Sequence, residues 1–170
     1  MQLTGKQIVE KGIISNYCEE GVQQQGVDVR LLSVSEVYGT GNVPKEGKTL
    51  PCSSRLVKPL SYATGDVYVL SPGYYEVTLM ESCKMPVNAV LKYHTRSSLV
   101  RCGAIVHSGQ FDAGFETTNM GCFLQVLKTI RIEVGARIAQ AIVTESYPVN
   151  DEDLYDGQWQ NDKQRNNETS

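Results

Sequence analysis

Two cations and two hydroxyls crowd into the segment Thr95-Arg96-Ser97-Ser98-Leu99-Val100-Arg101. An arginine grips phosphate oxygens as a planar fork, and a serine hydroxyl donates to a bridging oxygen. Arg96, Ser97, Ser98 and Arg101 are therefore candidate ligands for a chain of phosphates. On its own the block is short and serves equally as a polar turn with surface arginines. A second block, His107-Ser108-Gly109-Gln110-Phe111-Asp112-Ala113-Gly114-Phe115, sets a carboxylate and aromatic rings among glycine turns. The backbone at Gly109 and Gln110 can read the edge of a pyrimidine. Phe115 can pack on a sugar, and Asp112 can take a proton from water. A solvated hairpin tip is the plainer reading of that block. In Gly135-Ala136-Arg137-Ile138-Ala139-Gln140, strand alternation points Gln140 inward, where its amide needs a partner. In Gln25-Gly26-Val27-Asp28-Val29-Arg30-Leu31, Asp28 either orients a metal-bound water or caps a turn.

The elements that would position these groups are mostly strands. Thr4 followed by Ile8, Ile13 and Ile14, with a stop at Lys11-Gly12, predicts a short N-terminal helix. After it the apolar period changes to two, at Val27, Val29 and Leu31. Residues 39–65 are rich in Gly, Pro, Ser and Lys, and read as a long, partly extended connection. From Val67 onward, β-type runs recur: Val67–Leu70, Tyr74–Leu79, Val87–Tyr93, Ala104–Val106, Cys122–Leu127, Ile130–Val134 and Ile138–Val143. Many short strands separated by turn signals predict a mainly β sandwich or barrel, with residues 1–149 as one domain. Residues 150–170 form a polar tail without periodicity, yet Tyr155 and Trp159 stand in it.

Composition narrows the function classes. The net charge of −3 carries no basic excess, so a nucleic-acid groove is not expected. No apolar run reaches the ~20 residues of a membrane helix, and no secretory leader is visible. The five cysteines are odd in number and form no C-x-x-C pair, and only two histidines accompany them. Reduced thiols in a cytoplasmic protein are expected, rather than a disulfide framework or a zinc site.

In this order the four blocks resemble the motifs of the dCTP deaminase/dUTPase superfamily. The matching segments are Gly26-Val27-Asp28-Val29-Arg30-Leu31, Arg96-Ser97-Ser98-Leu99, Asp112-Ala113-Gly114-Phe115 and Gly135-Ala136-Arg137-Ile138-Ala139-Gln140. The tail Tyr155-Asp156-Gly157-Gln158-Trp159-Gln160 is similar to the segment that closes over the nucleotide in the deaminase branch. The opening Leu3-Thr4-Gly5-Lys6-Gln7-Ile8 looks like that branch's first helix. The resemblance spans nearly all of residues 1–160. It implies a distorted β-barrel, jelly-roll-like subunit with an N-terminal helix, assembled as a homotrimer with sites between subunits.

Two chemistries share that scaffold, so fold does not choose between them. The deaminases use a glutamate ten positions after the third-motif aspartate. Ten on from Asp112 is Cys122, and Phe123-Leu124-Gln125-Val126 brings no acid. A neutral thiol does not shuttle protons as a carboxylate does. Glu116 stands at the turn and is expected to face elsewhere. The resemblance therefore implies a dUTP diphosphatase, with Asp112 activating the water that attacks the α-phosphorus. Arg96, Ser97, Ser98, Arg101 and Gln140 would lie on the phosphates, and Gly109 and Gln110 on uracil. Phe115 would lie under the deoxyribose, with Tyr155, Trp159 and Gln160 in a closing lid. Mg²⁺ would be held mainly by the triphosphate, with Asp28 on one of its waters. Departures from the family pattern are Thr117 for a glycine, Trp159 for a tyrosine and Asp162 for an amide or glutamate. The Gly-rich closing loop of ordinary dUTPases is missing. The alternatives are a dCTP deaminase, sole or bifunctional, and a catalytically weak nucleotide-binding or regulatory protein.

Overall fold

The computed structural model describes residues 1–160. The expectations for residues 161–170, Asp162 included, lie outside the described residues. Helix α1 (Gly5–Glu10) starts where a capping box closes. Gln7 N–H donates to Thr4 Oγ1 at 3.2 Å, and Thr4 N–H donates to Gln7 Oε1 at 2.9 Å. These bonds satisfy amides that a helix start leaves open. The helix stops at Lys11, and Gly12 turns the chain out with φ +67°. Ile8 is fully buried beneath it, and Ile13 leads into β1 (Ile14–Ser15).

Then come β2 (Val22–Gln23), β3 (Gly26–Tyr38), β4 (Ser53–Leu56), β5 (Leu60–Tyr62) and β6 (Gly65–Leu70). β7 (Gly73–Leu79), β8 (Ser82–Lys84) and β9 (Ala89–Thr95) precede the short helix α2 (Ser97–Arg101). β10 (Ala104–His107), β11 (Glu116–Thr117), β12 (Gly121–Val126), β13 (Ile130–Glu133) and β14 (Arg137–Glu145) complete the strands. The main sheet runs β10-β12-β7-β3-β14-β9, with β2 and β4 also paired to β3. Its organising strand is β3. The first half pairs with β14 (Asp28 opposite Gln140), and the second half pairs with β7 (Val34 opposite Val77). Register shifts occur near the changeover, between Leu31 and Ser33, and on β14 between Arg137 and Ala139. Such irregularities bend a strand and raise its twist, which lets one sheet curl on itself.

The curled sheet nearly closes, because its end strands β9 and β10 meet at a seam. Side chains stitch that seam where a backbone ladder would otherwise run. Thr95 Oγ1 accepts from Val106 N–H at 3.0 Å and donates to Val106 O at 3.1 Å. Tyr93 N–H donates to Ser108 Oγ at 3.0 Å, and a lone bridge joins Leu91 to Phe111. Inward residues at period two fill the barrel, among them Val27, Val29, Leu31, Leu91, Leu124 and Val143, all fully buried. Two three-stranded sheets, β1-β8-β11 and β13-β6-β5, flank it.

The stretch 39–65, expected as a connection, contains β4 and β5. Every residue of both strands is exposed, so no inside-outside alternation marks them. The block after Arg96 is a helical turn rather than an irregular one. No helix among the described residues is long and apolar enough to cross a membrane.

Candidate active site

Of the residues expected to bind phosphate, Arg96 and Gln140 meet Asp28 where β3, β14 and the end of β9 lie side by side. Asp28 is 2% exposed, and a buried carboxylate needs charge partners. Arg96 Nε lies 3.3 Å from Asp28 Oδ2, and Arg137 Nη1 lies 3.5 Å from the same oxygen. Gln140 stands on the outer face rather than inward, and there its Nε2 donates to Asp28 Oδ1 at 3.4 Å. Arg96 Nη1 also donates to Arg137 O at 3.2 Å. Gly26 permits this close packing, since a Cβ there would stand 2.5 Å from Ala141 O and 2.9 Å from Gln140 Cγ. Arg96 caps α2 from its N-terminal side, while Ser97, Ser98 and Arg101 lie exposed on that helical turn.

The base-seeking residues gather on the hairpin after β10. Phe115 N–H donates to Asp112 O at 3.1 Å, closing a turn in which Gly114 has φ +81°. Asp112 is exposed at this turn, and its Oδ1 accepts from Gln110 Nε2 at 2.6 Å. Aromatic rings run beneath in series: Tyr93 to Phe111 at 5.4 Å, Phe111 to Phe115 at 4.9 Å, Phe115 to Tyr155 at 5.3 Å. The tail docks on the same turn. Tyr155 N–H donates to Ala113 O at 3.0 Å, and Gln160 Nε2 donates to Gly114 O at 2.8 Å. Gln160 Oε1 in turn accepts from Glu116 N–H at 3.0 Å. A cavity of 510 Å³ opens here, lined by Gly109, Gln110, Phe115, Tyr155 and Trp159 among others.

Cys122 is on the wall of that cavity, and burial pushes its thiol from 9.0 up to about 12. It is a neutral group. Tyr93 is also buried, with a hydroxyl that has no hydrogen-bond partner among the described residues; burial, with Cys122 nearby, drives its ionisation well above the ordinary range. Glu116 turns to Lys84, 3.4 Å away, as its place at the turn suggested. Thr117 is buried in β11, where its hydroxyl donates to Asn119 O at 2.9 Å.

The single chain thus holds two groups. The cavity lining includes none of Asp28, Arg96, Ser97 and Gln140. Three participants were not singled out from sequence. Arg137 was present in a quoted motif and carries a visible charge. Glu76, on the cavity wall, gave no local signal. Neither did Glu81, which is fully buried and receives Arg30 Nε at 2.7 Å and Arg30 N–H at 2.8 Å. Among the described residues no group of three His, Cys, Asp or Glu could hold a metal ion.

A dCTP deaminase-like family model matches residues 2–146. The chain is 31% identical over 146 residues to a probable deoxyuridine 5'-triphosphate nucleotidohydrolase of Halobacterium salinarum, covering 85% of this chain and 86% of that one. It is 30% identical over 149 residues to the deoxyuridine 5'-triphosphate nucleotidohydrolase of Methanocaldococcus jannaschii, covering 86% and 92%. A crystal structure of the 2'-deoxycytidine 5'-triphosphate deaminase of Agrobacterium tumefaciens superposes with a TM-score of 0.62 at 17% identity. That match covers 89% of this chain and 50% of the other.

Proposed function

Because this chain belongs to the dCTP deaminase-like family, we propose that it is a dUTP diphosphatase, which hydrolyses dUTP to dUMP and pyrophosphate. One observation carries the choice of chemistry. Asp112 is an exposed carboxylate on the glycine turn beside the aromatic cavity, whereas Cys122, where the resemblance counts the deaminase acid, is a buried neutral thiol. Asp112 takes a proton from a water molecule as that water attacks the α-phosphorus. The bond from the α-phosphorus to its bridging oxygen breaks, and pyrophosphate leaves. Gly109 and Gln110 present backbone groups to uracil. Phe115 packs against the deoxyribose and crowds out a 2′-hydroxyl. Arg96, Ser97, Ser98, Arg101 and Gln140 hold the phosphates, and Arg137 joins them through its contact with Asp28.

The donor set suits an Mg²⁺ ion that arrives on the triphosphate. The chain supplies one buried carboxylate, already charge-balanced by two arginines, and no three-ligand cluster among the described residues. Asp28 would accept from a water on that ion, and the ion would neutralise phosphate charge. The separation of the two residue groups supports a homotrimer, in which the phosphate group of one subunit meets the cavity of its neighbour. Residues 150–160 dock on the Gly114 turn of the 1–149 domain, which supports their role as a lid over the nucleotide. Glu76 on the cavity wall supplies a carboxylate that a deaminase reading could use. Two product assays separate the readings. Pyrophosphate from dUTP without ammonia from dCTP is expected. Ammonia would establish the deaminase, and neither product would leave a nucleotide-binding protein.

A further inference from the structure

Lys92, His94 and Arg96 alternate along β9 and the residue after it. β9 buries Leu91 and Tyr93 and leaves Lys92 and His94 exposed. Arg96 N–H continues the pairing with β14 by donating to Ile138 O at 3.3 Å. Side chains two apart on a strand leave the same face, so three basic groups stand in one file. Directly opposed residues on neighbouring strands also share a face. Gln140 is opposed by Asp28 on one side and by His94 on the other. Its hydrogen bond to Asp28 fixes which face that is. His94 is therefore third in a row that begins at the buried carboxylate, and Lys92, opposite Ile142, stands one rung beyond.

Charge on this face is unbalanced. Asp28 is already shared by Arg96 and Arg137. Neither Lys92 nor His94 has a carboxylate ion pair among the described residues. Across the seam, the bonds of Tyr93 and Thr95 to Ser108 and Val106 set His107 opposite His94. His107 is occupied by Gln125 Oε1 at 2.9 Å, so that side brings no countercharge either. A lysine and a histidine without a carboxylate partner, in line with Arg96, suit an anion longer than one phosphate.

We infer that Lys92 and His94 extend the phosphate end of the site into a subsite for pyrophosphate. They receive the β- and γ-phosphates of the triphosphate and then the free product. This rests on the hydrolase reading, but it can be tested apart from hydrolysis. Inorganic pyrophosphate with Mg²⁺ is titrated calorimetrically into the full chain and into Lys92→Gln, His94→Gln and the double variant. Each single change should weaken pyrophosphate binding by roughly fivefold, and the double by more, since Lys92→Gln removes a charge and His94→Gln a ring donor. Affinity for dUMP, which ends at the α-phosphate, should stay within about twofold. Lys92→Arg should bind as the parent does, which separates charge from damage to the fold. Unchanged pyrophosphate affinity in the double variant overturns the inference, as does a parent chain that takes up no pyrophosphate. A parent that binds pyrophosphate but releases none from dUTP refutes the hydrolase reading and leaves the subsite standing.

Discussion

At the scale of single residues, the chemistry rests on which groups can move a proton. Asp112 is exposed and oriented by Gln110, so its carboxylate is free to serve as a base. Asp112→Asn should keep the fold and nucleotide binding while lowering dUTP turnover by ~10²–10⁴, because an amide accepts no proton. Turnover at the parent rate would remove Asp112 from that role. Cys122 is the opposite case. Its folded thiol ionises at about 12 against 9.0 ordinarily, so between those values the folded chain keeps a proton that the unfolded chain releases. Stability from this source is full below pH 9.0 and is lost as pH rises towards about 12. Denaturant unfolding at about pH 8 and about pH 10.5 should show the fall, and Cys122→Val should reduce it. An equal fall in the variant would locate the effect elsewhere, with Tyr93 the next candidate of the same sign. Legibility in the sequence followed this contrast. Asp28, Arg96, Asp112 and Gln140 lay in short contiguous motifs. Glu81 could not be found, because its partner Arg30 is 51 residues away and only the fold brings them together.

At the scale of elements, what could be read was what had a period or a cap. Thr4 and the stop at Lys11-Gly12 announced α1, alternation announced the start of β3, and recurring β-type runs announced β7, β9, β12 and β14. β4 and β5 were missed because both faces of each are wet, so burial imposes no pattern on them. β1, β2, β8 and β11 are two or three residues long, too short for any period. Residues 150–160 are the converse case: mostly polar and without a period, yet packed through Leu154 and Tyr155 against the Gly114 turn. Trp159 is the sole tryptophan and is 47% exposed, so its emission reports this segment. A non-hydrolysable dUTP analogue with Mg²⁺ should shift that emission to the blue and protect the tail from protease. Truncation after Val149 should weaken hydrolysis strongly without melting the barrel. Unchanged emission with saturating analogue, joined to full activity in the truncated chain, would deny the tail a role as a lid.

At the scale of the molecule, the proposed homotrimer brings the phosphate-side residues of one subunit to the cavity of its neighbour. Light scattering at micromolar concentration should give three chain masses, and a fully active monomer would show that one subunit suffices. The seam between β9 and β10 bears on a different matter, the freedom of the substrate-reading loop to change over evolutionary time. A hairpin inside an unbroken ladder cannot gain or lose residues without shifting every pair behind it. The segment 107–115 is tied instead by the Ser108 hydroxyl to Tyr93, by one bridge at Leu91 and by Met85 N–H to Phe115 O, with Thr95 holding Val106 just before it. Its length can be edited between those anchors while β10 keeps its register on β12. On the proposed reading, the loop that contacts the base can therefore vary while the barrel that carries it stays.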